Sequence, residues 1–306
     1  MDTVTFAAFL HLVLAATLAP LLPGVINRVK AFFAGRTGPS LLQPYRDLAR
    51  LLRKGTVFSP TTTGLFRLAP AAGLAVALVA VALVPAGGFP ALVPFPGDFL
   101  LLVGLLALAR FILILAALDT GSSFEGMGAS REAAFAALSD PALLLGLAAA
   151  VRVSGESSLT GMMAAASAGV WWTALPALLL VLGSLLAVFL TENARIPVDD
   201  PNTHLELTMI HEVMVLDHSG PDLALIEFGA ALRLWVFGAL IVGLATPLRT
   251  GVPLADAGIF LVGMLALAGF VGVLESAIAR LRLLRVPQFL VAAIAFSVLA
   301  LVLVLR

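Results

Sequence analysis

Eight stretches of this chain are each apolar for long enough to cross a bilayer, and that pattern leaves few folds open. They lie near 3–23, 68–86, 98–118, 139–153, 170–191, 223–245, 256–278 and 286–305. A bilayer core of ~30 Å needs roughly 20 apolar residues per helix. The fourth run is short, which suggests a tilted span or one shielded by its neighbours. Lipid satisfies no backbone polar group, so every span is expected to be helical. Hydrophobic residues make up 61% of the chain and charged residues 12%, against about half and a quarter in a soluble domain. The expectation is an all-α, polytopic membrane protein. About eight transmembrane helices and one surface amphipathic helix form a single integral-membrane domain over 1–306.

The formal net charge is zero, so no basic surface is available for nucleic acid. There is no cysteine, which excludes a disulfide, a thiolate metal site or a cysteine-held cluster within this chain. Asp2 precedes the first apolar run, where a signal peptide would carry a basic segment. That run reads as a retained helix.

Basic residues set the orientation. Eight of them, Arg28, Lys30, Arg36, Arg46, Arg50, Arg53, Lys54 and Arg67, fall between the first two spans. Arg280, Arg282 and Arg285 fall between the last two and read as interface anchors, while 87–97 and 154–169 contain no Lys or Arg. The positive-inside rule then puts both termini on the non-cytoplasmic side. The cytoplasmic loops are expected at about 24–67, 119–138, 192–222 and 279–285. Within the first, Leu48, Leu51 and Leu52 share a face and Arg46, Arg50, Arg53 and Lys54 point elsewhere, the pattern of a helix lying on the membrane surface.

One polar island interrupts the apolar sequence: ENARIPVDDPNTHLELTMIHEVMVLDHSGPD, residues 192–222. It holds seven carboxylates and three of the four histidines of the chain. Pro197 stops the preceding helix, and Thr203 with Glu206 forms a T-x-x-E capping box that predicts a new one. On that helix His204, Thr208 and His211 share a face, and Glu212 extends another. Carboxylates crowded in a poorly hydrated place raise one another's proton affinity, the physical basis of a proton relay; a solvated loop is the plainer alternative. His211-Glu212 opens like a zinc-protease motif, but Val215 stands where the second histidine belongs, so no such site is expected. A metal at His204 and His211 is looser than any usual chelate, and hydrogen-bonded histidines fit better.

Arg110, Glu227, Arg233 and Glu275 lie inside apolar runs, where an ionisable group costs roughly 2.5–3.5 kcal/mol on the gentler scale. Each is expected either to pair with another helix or to take part in a relay. Glu227 and Arg233 are six apart, on different sides of one helix.

The segments GRTGPSLLQPYRDLARLLRKG, FEGMGASREAAFAAL and ENARIPVDDPNTHLELTMIHEVMVLDHSGPDLALIEFGAALRLWVF resemble the subunit-1 family of respiratory complex I. The likeness is greater to its hydrogenase-side branch, the formate hydrogenlyase and hydrogenase-4 side. GRTGPSLLQP and ARIPVDDPNTHLE depart from the patterns of the quinone-reducing branch. The resemblance implies a multi-pass subunit of the cell inner (plasma) membrane, non-catalytic in itself. It has no cofactor of its own; a nickel–iron centre and iron–sulfur clusters reside in the hydrogenase large and small subunits of a docked peripheral arm. Antiporter-like membrane subunits are the further partners implied. By motif, the family's acidic path maps onto Glu192, Asp199, Asp200, Glu206 and Glu212, with Arg195 beside them; Glu227 and Glu275 are the further relay candidates, and Arg110, Arg233, His204 and His211 support them. The docking surface maps onto Arg36, Gly38, Pro39, Gln43, Pro44, Tyr45 and Arg46, onto Phe124, Glu125, Arg131 and Glu132, and onto the 195–204 loop.

The expected function is that of a membrane anchor and coupling subunit of a group 4 nickel–iron hydrogenase complex. It would link electron transfer to proton or sodium translocation. The quinone-chamber subunit of an NADH-quinone oxidoreductase is the alternative within the family. A stand-alone secondary transporter also fits eight helices, but no internal repeat is visible.

Overall fold

The computed structural model describes residues 3–165, 172–199, 209–246 and 250–305. Among them there are helices and no strand, with one isolated bridge between Ala86 and Phe89. The helices are α1 (Thr3–Leu18), α2 (Leu21–Phe33), α3 (Gln43–Leu52), α4 (Gly64–Leu83), α5 (Asp98–Asp119), α6 (Ser123–Ser154), α7 (Leu159–Ala165), α8 (Leu175–Glu192), α9 (Gly220–Ala245), α10 (Pro253–Ala277) and α11 (Val286–Leu305). Short 3₁₀ turns cover Glu212–Val215 and Leu283–Arg285. Among the described residues eight helical segments are long and apolar enough to span a membrane, the first being Phe9–Phe33, which runs through the α1–α2 break.

α9 is the centre of the bundle. In its most apolar stretch 78% of residues are buried, against 22% in the final span. It packs on α4, α8, α10 and α3. A second group forms around α6, α8 and α11, where Ser297 Oγ donates to the Ala142 carbonyl at 2.8 Å and lies 2.7 Å from the Ser184 hydroxyl. Small residues let helices approach closely, as in other membrane bundles. A Cβ on Gly272 of α10 would lie 2.7 Å from Val29 Cβ of α2. Caps tie helix ends together: Thr63 Oγ accepts from the Leu65 amide to open α4, while Asp119 Oδ2 at the end of α5 accepts from both the Thr63 amide and its hydroxyl.

The surface helix is present as α3, with no buried residue. Several boundaries differ from the sequence reading. The first span breaks after Leu18 and resumes as α2 to Phe33, taking in ten residues expected in the following loop. Asn27, Arg28 and Lys30 do not end it, because each polar side chain can sit at the bundle's charged end; Lys30 pairs there with Glu275. The stretch 119–138 is largely helical: α6 begins at Ser123 and includes the whole of FEGMGASREAAFAAL. Its buried charges, Glu125 and Glu132, have partners inside the protein, so they do not require a solvated loop. The short fourth span is therefore the inner part of a 32-residue helix.

Candidate functional site

The polar island folds inward. α8 stops at Glu192, Asn193 Nδ2 donates to the Phe189 carbonyl at 2.8 Å, and Ala194 turns the chain with a φ of +51°. The left-handed residue is a common way to end a helix, though glycine is the usual occupant. The segment that follows, with a cis Ile196–Pro197 bond, packs Ile196, Val198 and Asp199 into the interior. Met209, Ile210, Val213 and Met214 are buried on its return. Irregular backbone at such depth is tolerated only inside protein or along a cavity. Gly128 of α6 makes room for the return: a Cβ there would clash with Val213 and approach Met214 Cγ to 2.9 Å and the Ile210 carbonyl to 3.0 Å.

This inward fold brings α8 and the island to Arg110, near the middle of α5. The Arg110 guanidinium meets three carboxylates from two other helices. Nη1 and Nη2 donate to the two oxygens of Asp140 at 2.8 and 3.0 Å, Nη2 also donates to Glu192 Oε2 at 2.7 Å, and Nε lies 3.2 Å from Glu132 Oε1. Ser139 Oγ donates to the other Glu192 oxygen at 2.6 Å. Arg110, Glu132 and Glu192 are all buried. From Glu132 the charges continue to His211, whose Nε2 lies 3.3 Å from Glu132 Oε2 and whose Nδ1 lies 3.5 Å from Asp199 Oδ2. Asp199 Oδ2 accepts from the amides of Ile210 and His211, and its Oδ1 accepts from Arg280 Nη2 at 3.0 Å. A string of ionisable groups thus runs from Asp140 through Arg110, Glu192, Glu132 and His211 to Asp199 and Arg280. A separate pairing holds Glu275 between Lys30 Nζ at 2.7 Å and Arg195 Nη1 at 3.6 Å.

His211 lies between two carboxylates of this string. Burial disfavours its charged form, but the Glu132 and Asp199 carboxylates outweigh burial and raise its pKa above the usual value. Asp199 shows the mirror effect: burial opposes its ionisation, and bonds and charge from His211, backbone amides and Arg280 hold its pKa below the ordinary range. The two carboxylates flank the imidazole at 3.3 and 3.5 Å with neither ring nitrogen hydrogen-bonded, so passing a proton along this line requires the contacts to tighten.

A cavity of about 560 Å³ opens beside the string. Its walls come from the α1–α2 break (Pro20, Pro23), α3 (Pro44, Asp47, Leu48), the island and one stripe of α9. The stripe, Leu223, Ile226, Glu227, Ala230, Arg233 and Leu234, follows helical spacing. Glu227 and Arg233 therefore both line this one cavity, although six residues separate them. Glu192, Arg195, His211 and Glu212 reach it from the other side. His218 also lines it, stacked on Phe66 with ring centroids 3.9 Å apart and planes 5° apart; burial lowers its pKa to about 4.

The sequence-predicted residues separate into groups. Glu192, Asp199, His211 and Arg110 join one string; Glu212, Glu227 and Arg233 line the cavity; Arg195 and Glu275 pair with each other. Asp200, His204 and Glu206, with the expected capping box, lie outside the described residues. Past Met209 the expected helix is replaced by the single 3₁₀ turn Glu212–Val215. Of the docking residues, Arg36, Gly38 and Pro39 are exposed, and Gln43, Pro44, Tyr45 and Arg46 open α3. Phe124 is exposed, but Glu125 accepts from the Asp217 amide at 3.1 Å in the interior and Glu132 belongs to the string. Arg131 Nη1 donates to the Met209 carbonyl at 2.8 Å. Sequence reasoning missed Asp140, Ser139 and Lys30, and it took Arg280 for an interface anchor. The dipeptide Ser139-Asp140 at the head of an apolar run was the available signal. Among the described residues no group of three or more His, Asp or Glu side chains is set to hold a metal.

Fold and site together define a polytopic, all-helical membrane protein with an ionisable string beside an interior cavity. Over residues 5–305 the sequence matches the family described as NADH dehydrogenase. It is 32% identical to formate hydrogenlyase subunit 4 of Escherichia coli (strain K12) over 291 residues, 93% of this chain and 94% of that protein. It is 35% identical to hydrogenase-4 component C of the same organism over 243 residues, 78% of this chain and 75% of that one. A subunit of the NADH-quinone oxidoreductase of Verminephrobacter eiseniae is 28% identical over 253 residues, covering 74% of this chain and 68% of that one. The fold is shared with a chain of the membrane-bound sulfane sulfur reductase, an archaeal respiratory membrane complex, at a TM-score of 0.82 and 19% identity, over 99% of this chain and 100% of that one. The protein belongs to the NADH dehydrogenase family, the family of complex I subunit 1. It is a complex I-like membrane subunit.

Proposed function

We propose that this chain is the membrane anchor and coupling subunit of a group 4 nickel–iron hydrogenase complex of the formate hydrogenlyase type. It docks a peripheral arm made of the hydrogenase large and small subunits and stands beside antiporter-like subunits in the cell inner membrane. The nickel–iron centre and the iron–sulfur clusters belong to those partners. The string from Asp140 through Arg110, Glu192, Glu132 and His211 to Asp199 is the observation that carries the reading. It runs from the interior of the bundle to the buried Asp199 of the island, and its groups are titratable. Glu212 and Glu227 at the cavity and the Glu275 pair extend the set of titratable groups. The similarity to formate hydrogenlyase subunit 4 along nearly its whole length supports the hydrogenase assignment.

Co-purification in mild detergent tests the partners: a nickel-containing subunit with hydrogen activity is the expected companion. Glu192→Gln in that complex tests coupling, since it removes a titratable group and keeps the shape. Ion movement should fall while hydrogen turnover and assembly persist; unchanged ion movement removes Glu192 from the path. The apolar cavity of about 560 Å³ favours a second reading, the quinone-chamber subunit of a complex I. A flavin-containing partner with quinone reductase activity would establish that one instead.

A further inference from the structure

We propose that the turn between α10 and α11 is a clamp that seats the buried stretch of the island against α6, with Arg280 as its positioning residue. Alternate residues of the island meet this turn. Arg195 Nη1 lies 3.6 Å from Glu275 Oε1, the Pro197 carbonyl accepts from the Leu281 amide at 2.8 Å, and Asp199 Oδ1 accepts from Arg280 Nη2 at 3.0 Å. The main chain between them closes on itself, because the Arg195 carbonyl accepts from the amides of Val198 and Asp199. Val198 shares a small core with Ile210 of the island's return, Phe135 of α6 and Val286 and Leu290 of α11, and Leu281 and Leu283 of the turn pack against that core. The far side of the clamp is anchored on α2. A Cβ on Gly272 would lie 3.0 Å from the Ile26 carbonyl, and Glu275 Oε2 meets Lys30 Nζ at 2.7 Å.

The division of bonds at Asp199 gives the clamp its effect. Oδ2 accepts from the amides of Ile210 and His211, which belong to the same return as the imidazole. Those bonds tie the island to itself. Oδ1 faces the turn, and there Arg280 ties the island to the bundle with a charge-assisted bond. The joined Asp199–His211 unit is thereby presented to Glu132 of α6, 3.3 Å from His211 Nε2. The other charges acting on the imidazole come from Glu192 of α8 and Arg233 of α9. Contacts of 3.3 and 3.5 Å are already long for hydrogen bonds, so a small slip of the unit away from α6 weakens the hold on the imidazolium. The inference rests on reading Asp199 and His211 as members of the string.

Charge and position predict opposite signs. Deleting the Arg280 cation removes a like charge, which by itself would raise the His211 pKa; losing its grip on Asp199 lowers it. Histidine C2 hydrogen–deuterium exchange, read by mass spectrometry on the protein purified in mild detergent with its companion subunits, follows this residue once peptides separate it from His204 and His218. In Arg280→Gln the exchange midpoint of His211 should fall towards the ordinary 6.5. In Arg280→Lys, which keeps the charge and a donor, it should stay with the native protein. A midpoint that rises or does not move in Arg280→Gln overturns the proposal. If Arg280→Gln does not assemble, Asp199→Asn is compared with the double variant Asp199→Asn/Arg280→Gln, which removes both charges of the pair. A double variant at or below the single one supports the clamp, and one above it overturns the clamp. The titration makes no use of ion movement, so failure of the Glu192→Gln test and failure of this one are told apart.

Discussion

Arg110 and Asp140 meet through two parallel hydrogen bonds of 2.8 and 3.0 Å, joining the middle of α5 to α6. The same guanidinium also serves Glu192 and Glu132, so one cation from α5 fixes three acids on two other helices. Arginine suits this role because its planar fork offers several donors at fixed angles and stays charged.

Removing that cation leaves buried carboxylates without compensation, which costs about 3–5 kcal/mol where a buried pair is broken. Arg110→Met is therefore expected to abolish accumulation of the protein in membranes. Asp140→Asn leaves Glu132 and Glu192 to hold Arg110, and Asp140 is partly exposed, so this variant should accumulate with a lowered melting temperature. In-gel fluorescence of tagged variants and thermal unfolding in detergent check both; equal accumulation of Arg110→Met and the native chain would refute the reading.

His211 makes stability depend on pH in a defined direction. Its folded pKa is raised above 6.5, so its contribution is full below that value and is lost as pH rises through the folded pKa. Asp199 has a lowered folded pKa, and its contribution is present above about 3.8 and is lost only as pH falls through the folded value. Between pH 6 and 9 the native protein should lose melting temperature faster than His211→Gln does. Parallel curves would show that the imidazole does not gain a proton on folding.

His218 behaves oppositely. Its pKa falls from 6.5 to about 4 by burial, so the unfolded chain binds a proton that the folded one refuses. Stability should decline as pH drops from about 6.5 towards 4. His218→Phe preserves the stack on Phe66 and removes the titration, so its stability should be flatter across this interval. A differential scan over that interval is the measurement, and an unaltered acid slope would count against a neutral His218.

Gly128 controls how deeply the return of the island seats. Gly128→Ala should cost about 1–3 kcal/mol, as overpacking in a close-packed interior usually does. Limited proteolysis should show cleavage near Glu212–Val215 that the native protein resists. Gly126, two residues away with nothing near its would-be Cβ, is the control; equal protease resistance of both variants would show that the turn does not depend on Gly128.

The eight spans and the surface helix were legible because lipid imposes a length and interfacial burial imposes a period. The placement of charge was only half legible. Arg110, Glu192 and Glu275 stood out against apolar neighbours, but their partners did not: Asp140 and Lys30 sit at the edges of apolar runs, where a charge looks ordinary. Arg280 looked like an anchor because nothing in the sequence says that Asp199, 81 residues earlier, returns to meet it. The inward course of the island depends on Ala194 adopting a glycine-like turn, which an alanine does not announce. FEGMGAS looked like a loop because it lies outside the apolar runs, whereas it is helical and its Gly128 lets another segment press against it.

A 32-residue helix is about 48 Å long, half as long again as the ~30 Å hydrocarbon core. α6 must therefore lean steeply or project past the lipid. It carries Glu132 and Asp140 on the same stiff rod that ends at exposed Phe124, with Pro141 immediately after Asp140. The helix runs unbroken from that tip to the acids around Arg110, with Gly126 and Gly128 on the way. The rod is a strut between whatever touches its tip and the charges in the interior, and the proline beside Asp140 removes one backbone hydrogen bond just past them.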